Sequence, residues 1–192
     1  MKHRGKFIIA AVLLVALVVL GYIWHTHQGN RTYIRAMDTE QSHFDLLFHR
    51  HGGVTFRQNA EWIRVYLAHY QREELVLHEA LAAIGTVGTY LSEGSLIWGV
   101  TTEHSVPTEL RTRLIRSGGI SATQFDLSAL DFDLTAASTA GQPFLGEQVL
   151  QDGRFVLHLW QSEPRFRIDG NVFHPEQLQN SEHTVILYMV FE

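Results

Sequence analysis

The N-terminal part of the chain contains one long uninterrupted apolar run. Residues 7–24 include no charged residue and no proline, and at about 1.5 Å per residue a helix of this length approaches the thickness of a hydrocarbon core, about 30 Å. Lys2, Arg4 and Lys6 precede the run, and cations favour the cytoplasmic side of a span. The pattern predicts a cytoplasmic tail over residues 1–6, a transmembrane helix over 7–24, and an extracytoplasmic remainder.

A cleaved signal peptide is the alternative interpretation of the same run. The basic start suits a signal peptide, and Val19-Leu20-Gly21 is the nearest match to a small-residue cleavage site. Tyr22 and Trp24 favour an uncleaved anchor, because aromatic rings concentrate at the membrane surface. We therefore expect a single-pass protein of the inner (cytoplasmic) membrane whose C-terminal domain is periplasmic or extracellular.

Two stripes of residues at helical spacing follow the apolar run. The first has intervals of three and four residues and consists of Ile34, Met37, Gln41, Phe44 and Phe48. The second alternates intervals of four and three over Ile63, Leu67, Tyr70, Glu74, Leu77, Leu81 and Ile84. Such stripes are typical of helices that pack along one face. They predict a helical stalk or hairpin over residues 25–87, packed either within the chain or as a coiled coil between chains.

Beyond Gly88 the apolar pattern becomes that of strands. Residues 96–100, 125–134 and 155–160 are strand candidates, and the apolar run over 184–191 predicts a central strand covered on both faces. Pro107 interrupts this series by predicting the start of a short helix. Helices followed by mainly antiparallel strands predict an α+β fold, with an α+β extracytoplasmic domain over residues 88–192.

The composition excludes several kinds of chemistry. The 192 residues include no cysteine, which excludes disulfides, zinc–thiolate sites and iron–sulfur clusters. Lysine occurs only at Lys2 and Lys6, which excludes a Schiff-base lysine from the rest of the chain. The formal net charge is −5, and an acidic surface repels nucleic acid. Because no catalytic motif or dinucleotide fingerprint is present, the sequence predicts neither an enzyme nor a cofactor. A hydrolase whose Ser, His and Asp come from distant positions is the remaining alternative.

The twelve histidines raise the question of a metal site. His49 and His51 form a His-x-His pair, and His43 lies one to two helical turns earlier. Imidazole is a common ligand of zinc, which needs three or four converging ligands. These three residues are the metal-site candidates, and isolated surface histidines are the alternative interpretation.

Other charged and aromatic residues have structural alternatives. Asp131 and Asp133 share one face of a strand, where paired carboxylates can hold calcium or do acid–base work, or simply face water. The sequence favours a solvated helix face for Arg111, Arg113 and Arg116, and it favours the core for Trp98 and Trp160.

The anchor, the stripes and the missing catalytic motifs together predict a function. We expect a non-catalytic structural, accessory or assembly subunit of a bacterial envelope complex, which binds other membrane or envelope proteins. The bilayer would contact residues 7–24, and the stalk would serve homo-oligomers. In plan, this layout resembles inner-membrane assembly proteins of type IV pilus and type II secretion systems. The alternative is an extracytoplasmic ligand- or metal-binding sensor, which the histidine content favours.

Overall fold

The structure, a computed structural model, describes residues 14–21, 32–37, 47–85, 91–140, 153–163 and 172–192. The chain forms two compact units, Met1–Thr32 and Tyr33–Glu192. In the first unit, residues 14–21 are helical. The second unit contains every strand described below.

The transmembrane prediction is corrected by the first unit. Within the described ranges, no helix combines the length and the apolar character needed to cross a membrane. This finding contradicts the predicted transmembrane helix over 7–24 and the single-pass inner-membrane localisation that depended on it. Residues 7–13 and 22–24, like the tail 1–6, lie outside the described residues.

Strands make up most of the second unit. In chain order, those in the described part are β1 Tyr33–Ala36, β2 Arg50–Asn59, β3 Trp62–Gln71, β4 Glu74–Gly85, β5 Leu91–Glu103, β6 Val106–Arg116, β7 Gly119–Asp126, β8 Ser138–Ala140, β9 Arg154–Gln161 and β10 His183–Phe191. Sheet A has the order β1-β2-β5-β6-β7, and sheet B has the order β4-β3-β10-β9-β8. All pairings are antiparallel. A 3-10 turn, Leu127–Ala129, and a short helix, Pro175–Leu178, complete the described elements.

Sheets A and B share the main hydrophobic core. Alternate side chains of each strand point inward, and the fully buried ones include Val54, Phe56, Leu96 and Leu114 from sheet A and Ile63, Val65, Leu67 and Leu187 from sheet B. Burial of each such side chain stabilises the fold by about 1.5–3 kcal/mol. The unit is therefore a β-sandwich, because apolar residues of both sheets meet in one cluster.

Sheet B is also covered on its outer face. There Ala68, Leu159 and Ile186 pack against Val172 and Leu178, which come from the segment that precedes β10. The strands of sheet B consequently carry apolar residues on both faces.

Positive φ angles allow the tight turns of the hairpins. Arg72, with φ 54°, lies between β3 and β4, and His104 and Ser105, with φ 50° and 69°, join β5 to β6. Two consecutive residues of positive φ suit the right-handed twist of a two-residue hairpin turn. The chain reverses at these points between strands that the sequence assigned partly to helices.

The predicted α+β fold and helical stalk are wrong. The described residues of the predicted stalk 25–87 are mainly strands, β1 to β4, and the second stripe is the β3–β4 hairpin. Without a helical stalk, the predicted coiled coil and the predicted homo-oligomer through the stalk have no structural basis. Pro107 likewise lies in strand β6, not in a helix. The stripe positions 38–46 lie outside the described residues.

The strand predictions fared better. Residues 96–100 lie in β5 and residues 155–160 lie in β9. The apolar run 184–191 is confirmed as the central strand of sheet B, since β10 pairs with β3 on one side and β9 on the other. The candidate over 125–134 is only partly a strand, because β7 ends at Asp126 and a 3-10 turn follows.

Candidate functional site

The candidate site lies on the outer face of sheet A. Cross-strand pairing places two rows of side chains on this face, running from β2 to β7: the row His51, Gly99, Arg111, Gln124 and the row Gly53, Ile97, Arg113, Ala122. Residues paired directly across an antiparallel ladder point to the same face. The strands β5, β6 and β7 therefore present arginine side chains and small or aliphatic side chains side by side.

Gly99 allows an aromatic ring to rest on this face. A Cβ atom at Gly99 would lie 2.5 Å from Cγ of Phe48, closer than any real Cβ contact. The backbone N–H of His49 donates to the carbonyl of Val100 at 2.9 Å, which ties residues 47–49 to β5. A glycine is needed here because only bare backbone leaves room for the ring of Phe48.

Phe48 forms one wall of a groove of about 420 Å³. Ile97 and Gly99 line it from β5, Arg111 and Arg113 from β6, and Ala122 and Gln124 from β7. Most of the lining surface is apolar. Ile120, 60% exposed, lies one row further along β7 and extends the apolar surface beyond the groove. Exposed apolar surface next to polar residues is typical of contact sites.

The two arginines of the groove differ in their partners. Arg111 donates from Nε and Nη2 to Oε2 of Glu109, at 3.1 and 2.8 Å, and Gln124 donates to the other oxygen of that carboxylate. The hydrogen bonds from Arg111 hold the pKa of Glu109 below its usual range. Arg113 is exposed, and within the described residues it has neither an ion pair nor a side-chain hydrogen bond.

The charge of this face differs from that of the chain. Among the described residues, the outward positions of sheet A hold Arg35, Arg57, Arg111 and Arg113 against Glu93, Glu109 and Asp126. The whole chain, in contrast, has 15 basic and 20 acidic residues. Among the described residues, the outer face of sheet A thus carries more basic than acidic side chains, and Arg113 is one of its arginines without an ion pair.

The predicted metal ligands do not converge in the described residues. His49 is exposed, His51 is half-buried on the outer face of sheet A, and His43 lies outside the described residues. Across the described ranges, no three or more His, Asp or Glu side chains are grouped so that they could hold a metal ion. The metal site at His43, His49 and His51 therefore stays a prediction.

Asp131 and Asp133, singled out in the sequence, follow the 3-10 turn that Asp126 precedes. Asp133 accepts hydrogen bonds from the backbone N–H and the hydroxyl of Thr135, at 2.9 and 2.6 Å, and these bonds lower its pKa. Asp126 accepts from the backbone N–H of Ser128 and caps the 3-10 turn. Asp131 is exposed. These contacts are those of turn-stabilising carboxylates.

Arg116 does not belong to the outer face. It pairs with the inward position Gly94, and its Nη1 donates to the carbonyl of Gly85 at 3.0 Å, linking the two sheets. Arg111 and Arg113 point outward from a strand, where the sequence predicted a helix face. Their spacing of two residues fits the strand period, so the signal was present in the sequence.

Trp98 and Trp160 lie in the core and enclose a residue that the sequence analysis missed. The ring of His158 lies 4.7 Å from the Trp98 ring and 4.3 Å from the Trp160 ring, between centroids. Within the described residues, neither of its nitrogens has a hydrogen-bond partner. Burial, reinforced by the charge of Arg50, lowers the pKa of His158 to about 3. The available signal was one histidine inside an otherwise apolar strand.

Comparisons of the chain with known protein families, curated proteins and solved structures found no match.

Proposed function

We propose that this protein is a non-catalytic binding module, and that the groove on the outer face of sheet A accepts a segment of a partner protein. The segment carries a carboxylate flanked by aliphatic side chains. The observation that supports this proposal most directly is Arg113, an exposed guanidinium without an ion pair or hydrogen bond in the described part of the chain, set among Ile97, Ala122 and the wall formed by Phe48.

The chemistry of the lining favours binding over catalysis. Among the described residues, those that line the groove include two arginines and two threonines but no histidine or carboxylate that could act as a base. A hydrolytic site needs a general base within hydrogen-bond reach of its nucleophile. An arginine without such a base is instead suited to holding a carboxylate through parallel N–H···O bonds.

The shape of the groove favours a protein segment over a small molecule. Small-molecule sites enclose most of the surface of their ligand. This groove lies on the surface of a sheet, and the exposed side chain of Ile120 continues its apolar character beyond the lining residues. A polypeptide segment can contact the groove and Ile120 together, which agrees with the mixed apolar and arginine-rich character of protein interfaces.

A random-peptide display library panned on the full chain tests the proposal. We expect the retained peptides to be enriched in Asp or Glu next to Leu, Ile or Val. Charge reversal by Arg113→Glu should weaken their binding at least about tenfold, since like charges at an interface oppose association. Ala122→Trp, which fills the groove and keeps Arg113, should also weaken it.

Arg154→Glu is the matched control, because Arg154 is an exposed arginine on β9 of sheet B. Binding by this variant should equal that of the wild type. Peptides without acidic enrichment, or equal losses in Arg113→Glu and Arg154→Glu, would contradict the proposed groove.

A further inference from the structure

Strand β7 forms one edge of sheet A and borders the groove. It pairs with β6 along its whole length, Gly119–Asp126, without a register shift. Within the described residues, no backbone hydrogen bond joins β7 to any strand other than β6. Strand β4 contacts β7, but it belongs to the other sheet, and the two strands are not paired. The side of β7 away from β6 is therefore an edge that can accept a further strand.

The turn between β6 and β7 decides which backbone groups lie along this edge. Arg116 and Gly119 are paired across the two-residue turn that separates the strands, and residues that flank such a turn form a hydrogen-bonded pair. Alternation along the ladder then directs the N–H and C=O groups of Ile120, Ala122 and Gln124 away from β6. The side chains of the same three residues lie on the outer face of sheet A. One extended segment can therefore contact the edge and the groove together.

Natural sheet edges are usually protected against pairing with other chains, by shortness, charge, proline or bulges. Among the described edges, β1 and β8 are only four and three residues long. Strand β4 is long, but its pairing with β3 shifts register at two bulges, and it carries Glu74 and Glu79. Strand β7 has eight residues, no bulge, and no proline or charged residue before Asp126. Of these described edges, β7 is thus the one without such protection.

The charges around β7 determine where an acidic side chain of the partner fits. Arg113 lies opposite Ala122, whose side chain ends at Cβ, so the long arginine side chain can extend over it toward an added strand about 4.8 Å beyond β7. Glu109 and Asp126 face each other at the far end of the ladder and repel a carboxylate there. An acidic residue therefore fits opposite Ala122, and an aliphatic residue two positions along fits opposite Ile120.

We propose that the partner segment binds as an added strand along β7, with its backbone paired to Ile120, Ala122 and Gln124 and its carboxylate on Arg113. This inference rests on the proposed function and adds the binding mode and the register to it. Main-chain hydrogen bonds give affinity in strand addition, and alternate side chains give specificity. The partner is thus an extended polypeptide whose acidic and aliphatic residues are two positions apart, since residues at that spacing share a face.

N-methylation of one peptide amide at a time tests the binding mode. The probe is the tightest-binding peptide from the display library, synthesised and titrated against the full chain by calorimetry. We expect methylation of every second amide to weaken binding at least about tenfold, because those N–H groups donate to the edge of β7. Methylation of the amides between them should weaken binding less than about threefold, because their N–H groups point to solvent.

Ile120→Pro tests the same pairing from the side of the protein. Proline removes the N–H that Ile120 directs away from β6 and is tolerated at such edge positions. Ile120→Ala is the matched control, since it removes most of the same side chain but retains the backbone N–H. Ile120→Pro should weaken peptide binding at least about tenfold more than Ile120→Ala does. If Ile120→Pro does not fold, as judged by circular dichroism, the methylated peptides decide the matter.

The outcomes separate the binding mode from the proposed function. Peptides that require Arg113 but show no alternation in the methylation series would overturn strand addition and leave the groove as a binding site. Peptides that bind equally well to Arg113→Glu would contradict the groove itself. A dimer of the free chain in sedimentation that Ile120→Pro abolishes would assign the edge to a second copy of the chain and also overturn this proposal.

Discussion

His69 and His158 are both buried on sheet B, yet their surroundings differ. They are 2% and 4% exposed. His69 shares a hydrogen bond with His183, whereas in the described structure no hydrogen-bond partner reaches either nitrogen of His158. Burial lowers the pKa of both residues, and that of His158 falls to about 3. The difference indicates that the free-energy cost of burying an imidazole depends more on its hydrogen-bond partners than on its exposed fraction.

The ring of His158 packs against aromatic side chains, and these contacts take the place of hydrogen bonds in the described structure. Trp98 and Trp160 contact its ring from two sides and also contact each other edge to face, with centroids 6.3 Å apart. Such contacts contribute about 0.5–1.5 kcal/mol per aromatic pair. The imidazole of His158 thus serves as a neutral filler of the core, while that of His69 keeps its polar chemistry.

The largest expected effect is acid destabilisation through His158. Its folded pKa of about 3 lies below the usual 6.5, so below pH 6.5 the unfolded chain binds a proton that the folded chain does not. Stability is therefore complete above pH 6.5 and falls by up to about 1.4 kcal/mol per pH unit. The total loss by pH 3 is on the order of 4 kcal/mol.

Urea unfolding at pH 7, 5.5 and 4.5 measures this loss. His158→Leu should remove most of the pH dependence between 6.5 and 4.5, and His69→Leu should remove less of it. An identical pH dependence in the wild type and His158→Leu would break the comparison between the two histidines.

The next largest effect concerns the position of Trp98. Gly52 lies opposite Trp98 on β2, and a Cβ atom there would be 2.8 Å from both Cζ2 and Nε1 of the indole. Gly52→Ala should displace the ring from His158 and cost about 1–3 kcal/mol of stability, as overpacking generally does. Gly119→Ala is the control, since its added Cβ meets nothing within 4 Å. Equal free energies of unfolding for the two variants would show that the indole moves without cost.

The smallest effect concerns the free energy of unfolding at pH 7, which His158→Leu and His69→Leu should change in opposite directions. His158→Leu removes an unpaired buried polar ring and should raise the free energy of unfolding by about 1 kcal/mol. His69→Leu breaks the hydrogen bond to His183 and should lower it by about 1 kcal/mol. Chemical denaturation of the two variants measures both changes, and a loss of stability in His158→Leu would show that the aromatic contacts of His158 outweigh the cost of its unpaired nitrogens.

Strands with simple surroundings were predictable from the sequence. Residues 184–191 are apolar throughout because β10 is the central strand of a sheet covered on both faces, and that inference was correct. Residues 155–160 of β9 are mainly apolar for the same reason. The two-residue spacing of Arg111 and Arg113 already indicated a shared strand face, but the groove that they form with Phe48 over Gly99 depends on pairing across strands, which spacing along the chain does not encode.

The same two-sided cover explains the main error. Strand β3 alternates inward Ile63, Val65 and Leu67 with outward Tyr66 and Ala68. Because the outward positions are also apolar or aromatic, the alternation is blurred, and residues chosen at intervals of four and three match a heptad by coincidence. Bulges in the pairing of β3 with β4 shift the period further. Tertiary burial therefore outweighed the helical pattern.

The position of β10 has a consequence for biosynthesis. Its partners β3 and β9 are separated from each other by this one strand, and Phe191 pairs with Ile63, more than a hundred positions earlier. The ribosome must synthesise the chain as far as Phe191 before β10 can pair with both β3 and β9. Pairing between strands so distant in sequence is slow. Until then the edges of β3 and β9 that β10 pairs with lack their partner, and unpaired strand edges are templates for aggregation.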